Sequence, residues 1–327
     1  MSTHDESLSE LAPGSRRQFL AAGATLAVAA VGQRTAADDS RPKPLPRGTG
    51  GGFRYCLNMS TVRGQKLSVP RQIDLAARAG YDSIEPWLRD LDEYREAGGS
   101  LDDLKKRIAD AGLTVESAIG FARWIAAHPT ERAGGLEQAR GVRETLGKIG
   151  GTRIAAPPTG ATDQTDLNLF AAAERYGKLL ELGDQMGVVP QVEVWGFSKS
   201  LSRLGETLFV ATESGHPKAC VLPDIYHIYK GGSSFDGLKL LAGRAVHVFH
   251  MNDYPANPPR ATISDADRVY PGDGVAPLSS ILKTLSDNGF RGVLSLELFN
   301  RTYWSQEADL VARTGLEKMR AAVAAAQ

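Results

Sequence analysis

Cysteine is nearly missing from this chain. Cys56 and Cys220 are the only two among 327 residues. Both sit in apolar, strand-like runs far apart in sequence, so they read as two buried free thiols rather than a disulfide framework. A charge surplus is missing as well, because 38 basic residues balance 38 acidic ones. Nucleic-acid-binding domains carry a basic excess, so nucleic acid is not an expected partner. No apolar run has the length or bulk of a membrane span. Ala21 to Val31 is short and built of small side chains, which argues against a stable membrane anchor. Closely spaced heptads, low-complexity blocks and runs of like charge are also absent. Finally, no glycine-rich phosphate turn follows the first candidate strand, where a doubly wound dinucleotide fold wants one. Met59-Ser60-Thr61-Val62-Arg63-Gly64 stands there, and the Gly48–Gly52 cluster precedes the strand.

What is present begins with an N-terminal address. Ser15-Arg16-Arg17-Gln18-Phe19-Leu20 stands ahead of the Ala/Gly-rich run. This reads as a twin-arginine signal peptide over residues 1–37, with Thr35-Ala36-Ala37 supplying small residues for cleavage. The expected partner is the twin-arginine export machinery, and the expected location is exported, periplasmic. No cysteine follows the run, so lipidation there is not expected. Residues 38–52 are a Pro/Gly-rich linker.

From Phe53 onward, short apolar strands alternate with helical stretches. Candidate strands are 54–58, 83–86, 114–119, 153–156, 190–194, 220–223, 245–250 and 293–298. Helical periodicity covers 71–79, 101–111, 136–149, 167–186, 278–288 and 307–325. Alternation of this kind over residues 53–327 predicts an α/β fold, a (β/α)8 TIM barrel forming a single domain. Gly80, Gly112, Gly151, Gly187 and Gly292 precede strands and fit left-handed helix C-caps.

In such a barrel the C-terminal strand ends converge on one site. Strand five ends in Glu193, strand six in Asp224, strand seven in His250 and strand eight in Glu297. Each alone is weak, since a strand-end Asp is often a helix cap and a lone His often a core residue. Four consecutive strands delivering such groups at one end make the signal. Three carboxylates and an imidazole repel or take up protons unless a divalent cation neutralises them. The oxygen-rich set favours Mn2+, Mg2+ or Co2+, with Zn2+ also admissible. His247 stands an odd number of residues from His250, so strand alternation turns it away from the interior.

These residues carry a resemblance. Ser83-Ile84-Glu85-Pro86-Trp87, Val192-Glu193-Val194, Asp224-Ile225-Tyr226-His227, His250-Met251-Asn252-Asp253, Arg268-Val269-Tyr270-Pro271-Gly272-Asp273-Gly274 and Glu297 resemble the xylose isomerase-like sugar phosphate isomerase/epimerase superfamily. Its relatives include ketose 3-epimerases, hydroxypyruvate isomerases and inosose dehydratases. The resemblance implies one divalent metal held by Glu193, Asp224, His250 and Glu297, with Glu193 and Glu297 as the acid/base pair acting through an enediolate. It assigns substrate contact to His227 and Arg268. Glu85, Asp253 and Trp124 are further substrate-side candidates, and Trp87 and Trp195 offer aromatic faces for a sugar ring. The long, Pro-rich connection from Tyr254 to Gly274, with Arg260 and Arg268, reads as an ordered lid.

Export sits poorly with a cytosolic sugar phosphate, so neutral sugars, keto-sugars or keto-glycosides are the expected substrates. A metal-dependent lyase or dehydratase would use the same groups. A non-catalytic sugar-binding barrel is a rival of another class. An abasic-site endonuclease on this barrel needs further histidines, and strand ends two and three (Ile84-Glu85-Pro86, Ala118-Ile119-Gly120) offer none. Homo-oligomeric assembly stays open.

Overall fold

The computed structural model describes residues 52–327. The export signal over 1–37 and all of the linker except Gly52 lie outside the described residues. Eight strands follow one another: β1 Arg54–Asn58, β2 Ser83–Glu85, β3 Thr114–Val115, β4 Arg153–Ala156, β5 Val189–Glu193, β6 Val221–Leu222, β7 Val248–Met251 and β8 Val293–Leu296. Every pairing is parallel, in the runs β3-β2-β1-β8-β7 and β4-β5-β6. Two seams close the cylinder. Ala155 N–H donates to the Ala118 carbonyl at 3.0 Å, joining β4 to the continuation of β3. Val221 bridges Val246, and His250 N–H donates to the Pro223 carbonyl at 3.0 Å, joining β6 to β7. The predicted TIM barrel is the observed fold.

Strand alternation decides what fills the cylinder. Residues two apart share a face, so Cys56 and Asn58, Ser83 and Glu85, Gln191 and Glu193, and Ser295 and Glu297 form successive layers, all of them buried. The alternate positions, such as Leu57, Ile84, Val192, Leu294 and Leu296, pack outward into a shell of apolar side chains. The interior is thus polar and the helix–sheet interface apolar. Both cysteines are free and buried, and burial pushes the Cys220 thiol up to about 12.

The helices form where apolar spacing and caps agree. In Leu278–Asp287 the buried Leu278, Ile281, Leu282 and Leu285 repeat at helical spacing. The helix Pro129–Lys148 begins well before the predicted 136, because Pro129 sits at its first turn and Gly134-Gly135 mask the period. Gly135 is pressed onto the Arg123 backbone, where a Cβ would meet the carbonyl oxygen at 2.5 Å. Helices Leu88–Glu96, Leu204–Glu213 and Ile225–Lys230 were not evident from periodicity, the last being a single short segment capped by Asp224. Gly80, Gly112 and Gly187 adopt the expected left-handed conformation. At the other two helix ends Gly150 and Gly289 do so instead of Gly151 and Gly292. Gly292 is required for space, since a Cβ there would strike the Phe290 ring and the His247 carbonyl.

Tyr176, in the helix Leu169–Met186, ties the second run of strands together. It is fully buried, and its hydroxyl lies 2.8 Å from the Pro190 carbonyl and 2.9 Å from that of Cys220. Replacing Tyr176 by Phe removes the donor from two buried acceptors. The expected loss is about 1–2 kcal/mol of stability, read from urea unfolding; an unchanged midpoint would show that the hydroxyl does not clamp β5 to β6.

Candidate metal centre and its cavity

The carboxyl ends of β5 to β8 bring the predicted side chains to one place. Asp224, His250 and Glu297 each offer a ligand atom, and all three atoms lie within 4.8 Å of one another. His250 Nδ1 stands 3.2 Å from Glu297 Oε2, 3.5 Å from Asp224 Oδ2 and 3.8 Å from Glu193 Oε1. Glu193 therefore stands at the edge of the trio. Two ligands each about 2.1 Å from one ion, at octahedral or tetrahedral angles, lie about 3.0–3.4 Å apart. The Glu297 separation falls within that spacing and the Asp224 separation just beyond it, while Glu193 stands farther out.

The imidazole is aimed by its other nitrogen. His250 Nε2 lies 3.1 Å from Glu85 Oε2, and that oxygen also accepts from Ser295 Oγ at 2.7 Å and Asn58 Nδ2 at 2.8 Å. Glu85 is wholly buried beneath the ring. Burial alone would raise its carboxyl, but the facing His250 and the three hydrogen bonds bring it below the usual range. Nδ1 is buried and has no hydrogen-bond partner. Its lone pair faces three carboxylates, a donor set that only a proton or a cation can hold together. The residues therefore fit a divalent ion. Burial would lower the His250 imidazole, but Glu297 and Glu85 carry it well above the ordinary value. Glu193 shifts well upward through burial, reinforced by Glu297 and Asp224.

The loop after β7 supplies the counter-charge. Arg268 Nη1 donates to Asp224 Oδ2 at 3.0 Å and to Glu297 Oε2 at 2.8 Å, while Nη2 reaches Asp265 Oδ1 at 2.5 Å. Against burial, these carboxylates raise Arg268 further above its ordinary range, and Arg268 in turn draws the Asp224 carboxyl below its own. Arg268 Nη2 also donates to His227 Nε2 at 3.0 Å, which leaves the ring proton on Nδ1. Burial, aided by Arg268, pushes the His227 imidazole down, so it is neutral. A cavity of about 200 Å3 opens above Glu193 and Glu297, with His227, Arg268 and Asp265 in its wall.

Three of the expected substrate-side residues lie elsewhere. Trp124 is a core residue: it is 1% exposed, donates from Nε1 to the Pro157 carbonyl at 2.7 Å and packs on Tyr176. Glu85 is sealed below His250 and reaches no cavity. Asp253 accepts four backbone N–H groups, from Tyr254 at 2.8 Å, Ala276 at 2.9 Å, Gly272 at 3.0 Å and Gly274 at 3.1 Å. It pins the Pro271–Gly274 turn rather than touching His250 or a substrate. The backbone of the connection from Tyr254 to Gly274 is tied to its surroundings by side chains. Lys230 Nζ holds its carbonyls at Arg260, Ala261 and Ile263, and of its two arginines only Arg268 reaches the cavity, Arg260 staying exposed. His247 is half-buried and lines a hollow beside Arg153 and Arg244, apart from Asp224, His250 and Glu297.

Sequence reasoning missed the supporting amides. Asn252 donates to Asp224 Oδ2 at 3.0 Å, and Asn58 reaches Glu297 Oε1 at 3.2 Å. Asn58 ends β1 as Glu85 ends β2, so strand-end position was the available signal.

A family model described as xylose isomerase-like TIM barrel matches residues 73–322. Among curated relatives, an inosose isomerase of Bacillus licheniformis is 30% identical over 186 residues, which is 56% of this chain and 66% of that protein. Another, from Bacillus velezensis, is 24% identical and covers 83% of this chain and 97% of its own. A 3-dehydroshikimate dehydratase of Pseudomonas aeruginosa is 22% identical, covering 71% of this chain but only 36% of that longer protein. Among solved structures, an IolI protein with a bound zinc atom superposes with a TM-score of 0.78 at 22% identity, over 84% of this chain and 99% of that one.

Removing the Asp253 carboxylate strands four loop donors. Asp253→Ala should cost about 3 kcal/mol in urea unfolding and admit protease cleavage between residues 254 and 276. Wild-type stability and protection would show that the turn holds itself.

Proposed function

Because the chain belongs to the xylose isomerase-like TIM-barrel family, we propose that it is a divalent-metal-dependent enzyme that enolises a small keto-sugar or keto-cyclitol, as an isomerase or epimerase. The observation that carries this reading is the unpartnered His250 Nδ1, aimed by Glu85 at the carboxylates of Glu193, Asp224 and Glu297. The zinc bound by the IolI protein supports a divalent metal on this fold. The inosose isomerases support a polyhydroxylated ketone as substrate.

Asp224, His250, Glu297 and Glu193 would hold a divalent cation, which would supply Lewis-acid polarisation of the substrate carbonyl, worth several kcal/mol. Glu193 and Glu297 reach the cavity from β5 and from the end of β8. One carboxylate takes the proton from the carbon beside the carbonyl, and the other returns a proton to the second carbon or to the opposite face. Positioned groups of this kind contribute about 10²–10⁴-fold. Burial suits Glu193 to hold the transferred proton. Asn58 and Arg268 fix the Glu297 carboxylate in place, so little reorganisation accompanies transfer. The neutral His227 carries its proton on Nδ1, which has no partner among the described residues and is free to meet a substrate oxygen.

A second reading is elimination across the same enediolate, as in a dehydratase or lyase, favoured by the 3-dehydroshikimate dehydratase relative. The two share the first proton transfer. Export through the twin-arginine route belongs to the proposal as well, and fractionation of cells expressing the full chain tests it.

Solvent exchange tests the common step. In D2O with inosose or a ketohexose, the Mn2+- or Co2+-loaded protein should incorporate deuterium beside the carbonyl. Glu193→Gln and Glu297→Gln should each reduce exchange by at least about 10²-fold while circular dichroism shows the barrel still folded. Full exchange in either variant removes that carboxylate from the acid/base role. Glu85→Gln should weaken metal affinity by roughly 10–100-fold, since the partner that orients a ligating His governs its basicity; metal titration by calorimetry reads this directly, and unaltered affinity would contradict the role given to Glu85.

A further inference from the structure

Beyond the metal-binding groups, the cavity has a wall that the proposed chemistry does not use. Phe299, Trp87, Phe121, Trp195 and Phe197 follow the ends of β8, β2, the β3 continuation and β5. They touch one another in order around the mouth. Ring centroids stand 6.2 Å apart for Phe299–Trp87, 5.6 Å for Trp87–Phe121, 6.0 Å for Phe121–Trp195 and 4.8 Å for Trp195–Phe197. The arc ends on His227, 5.4 Å from Phe197. Phe121 and Phe197 keep 38% and 47% of their surface exposed. Two large rings left open beside a polar site, where most other aromatic side chains among the described residues are covered and the more exposed Phe170 lines no part of this cavity, mark a surface that a ligand covers.

The charges of the same cavity restrict what that ligand is. Glu193, Glu297 and Asp265 bring three carboxylates against one guanidinium. Arg268 has every nitrogen engaged: Nε and Nη2 with Asp265, Nη2 with His227, and Nη1 with Asp224 and Glu297. No lysine lines the cavity. Arg63 and Arg89 approach the Trp87 ring but line the neighbouring hollow between helices Val69–Ala79 and Leu88–Glu96. A phosphate or carboxylate on the substrate would thus meet acidic side chains and an arginine already fully engaged, whereas a flat uncharged group would meet the open rings of Phe121 and Phe197 beside three further aromatic side chains.

We propose that the aromatic arc is a second subsite, and that the substrate is an uncharged keto-sugar linked to a further flat, apolar ring that stacks there. The proposal rests on the enolising role given to the metal centre and names its substrate class. The sugar reaches Glu193 and Glu297 at the bottom of the cavity, and the appended ring lies between Trp87, Phe121, Trp195 and Phe197. Aromatic and CH–π contacts then supply affinity where the acidic site offers little to an anion.

Binding is separable from turnover. Phenyl β-D-glucoside, methyl β-D-glucoside and methyl β-D-glucoside 6-phosphate stand in for the substrate with its carbonyl reduced, and none can open to a free carbonyl, so none reacts during calorimetric titration of the purified full chain in Mn2+ buffer. The phenyl glucoside should bind at least about tenfold more tightly than the methyl glucoside, and the methyl glucoside 6-phosphate no more tightly than the methyl glucoside. Phe121→Ala and Phe197→Ala alter exposed side chains, so the barrel should hold, as melting will verify. Each should cut the phenyl advantage by about threefold or more. Equal affinity for the two glucosides, no binding of the phenyl glucoside, or tighter binding of the phosphate overturns the proposal, and the wild-type comparison needs no variant. Deuterium exchange on an unsubstituted ketose, without any phenyl preference, would remove the second subsite and leave the enolisation standing. A phenyl preference without exchange on any keto-sugar would uphold the subsite and remove the catalytic reading.

Discussion

One imidazole nitrogen organises this barrel. His250 Nδ1 stands where the ends of β5, β6, β7 and β8 converge, and it faces Glu193, Asp224 and Glu297. Left to themselves, buried carboxylates at such spacing would repel one another and take up protons. The ring can serve as their common partner only because Glu85, Ser295 and Asn58 fix its far side. These supporting residues come from β1, β2 and β8, so six of the eight strands contribute to the placement of a single lone pair.

Arg268 complements that arrangement from above. It is delivered by a long loop that has no regular secondary structure of its own beyond a short 3-10 turn at Asp265–Asp267. Asp253 and Lys230 hold that loop through its backbone, the first by N–H groups and the second by carbonyls. The guanidinium then lies over the Tyr226 ring, its centre 4.5 Å from the centroid, and spans Asp224 and Glu297. A buried cation and a buried anion cluster are each costly alone, and removing one partner strands the other. Loop order and site electrostatics are therefore one property of the molecule: loosening the turn at Gly272 would also unseat the charge that balances two of the carboxylates.

The strand ends were legible because they obey simple rules. Eight apolar segments alternating with helices fixed the barrel, and the side chains at Glu193, Asp224, His250 and Glu297 are the last inward positions of consecutive strands. The residues that misled depend on features beyond the strand. Trp124 follows the third strand, but the chain folds back and the indole is drawn to the Pro157 carbonyl. Asp253 lies three residues past His250, on the opposite face of the alternation, where only the loop is within reach. Glu85 occupies a true inward strand end, in register with Asn58, yet it is buried against His250 Nε2 and is spent on orienting that ring. The aromatic arc was half visible in Trp87 and Trp195. Phe121, Phe197 and Phe299 sit in loops whose course has no periodicity to read, and their sequential contact exists only once the barrel closes.

Anomalous diffraction from crystals grown with Co2+ tests the central claim most directly. A single strong peak should appear in contact with His250 Nδ1 and with carboxylate oxygens of Asp224 and Glu297, and Glu193 should be turned toward it. A metal-free map in saturating Co2+, or a peak away from His250, would show that these groups are held by protons and Arg268 alone.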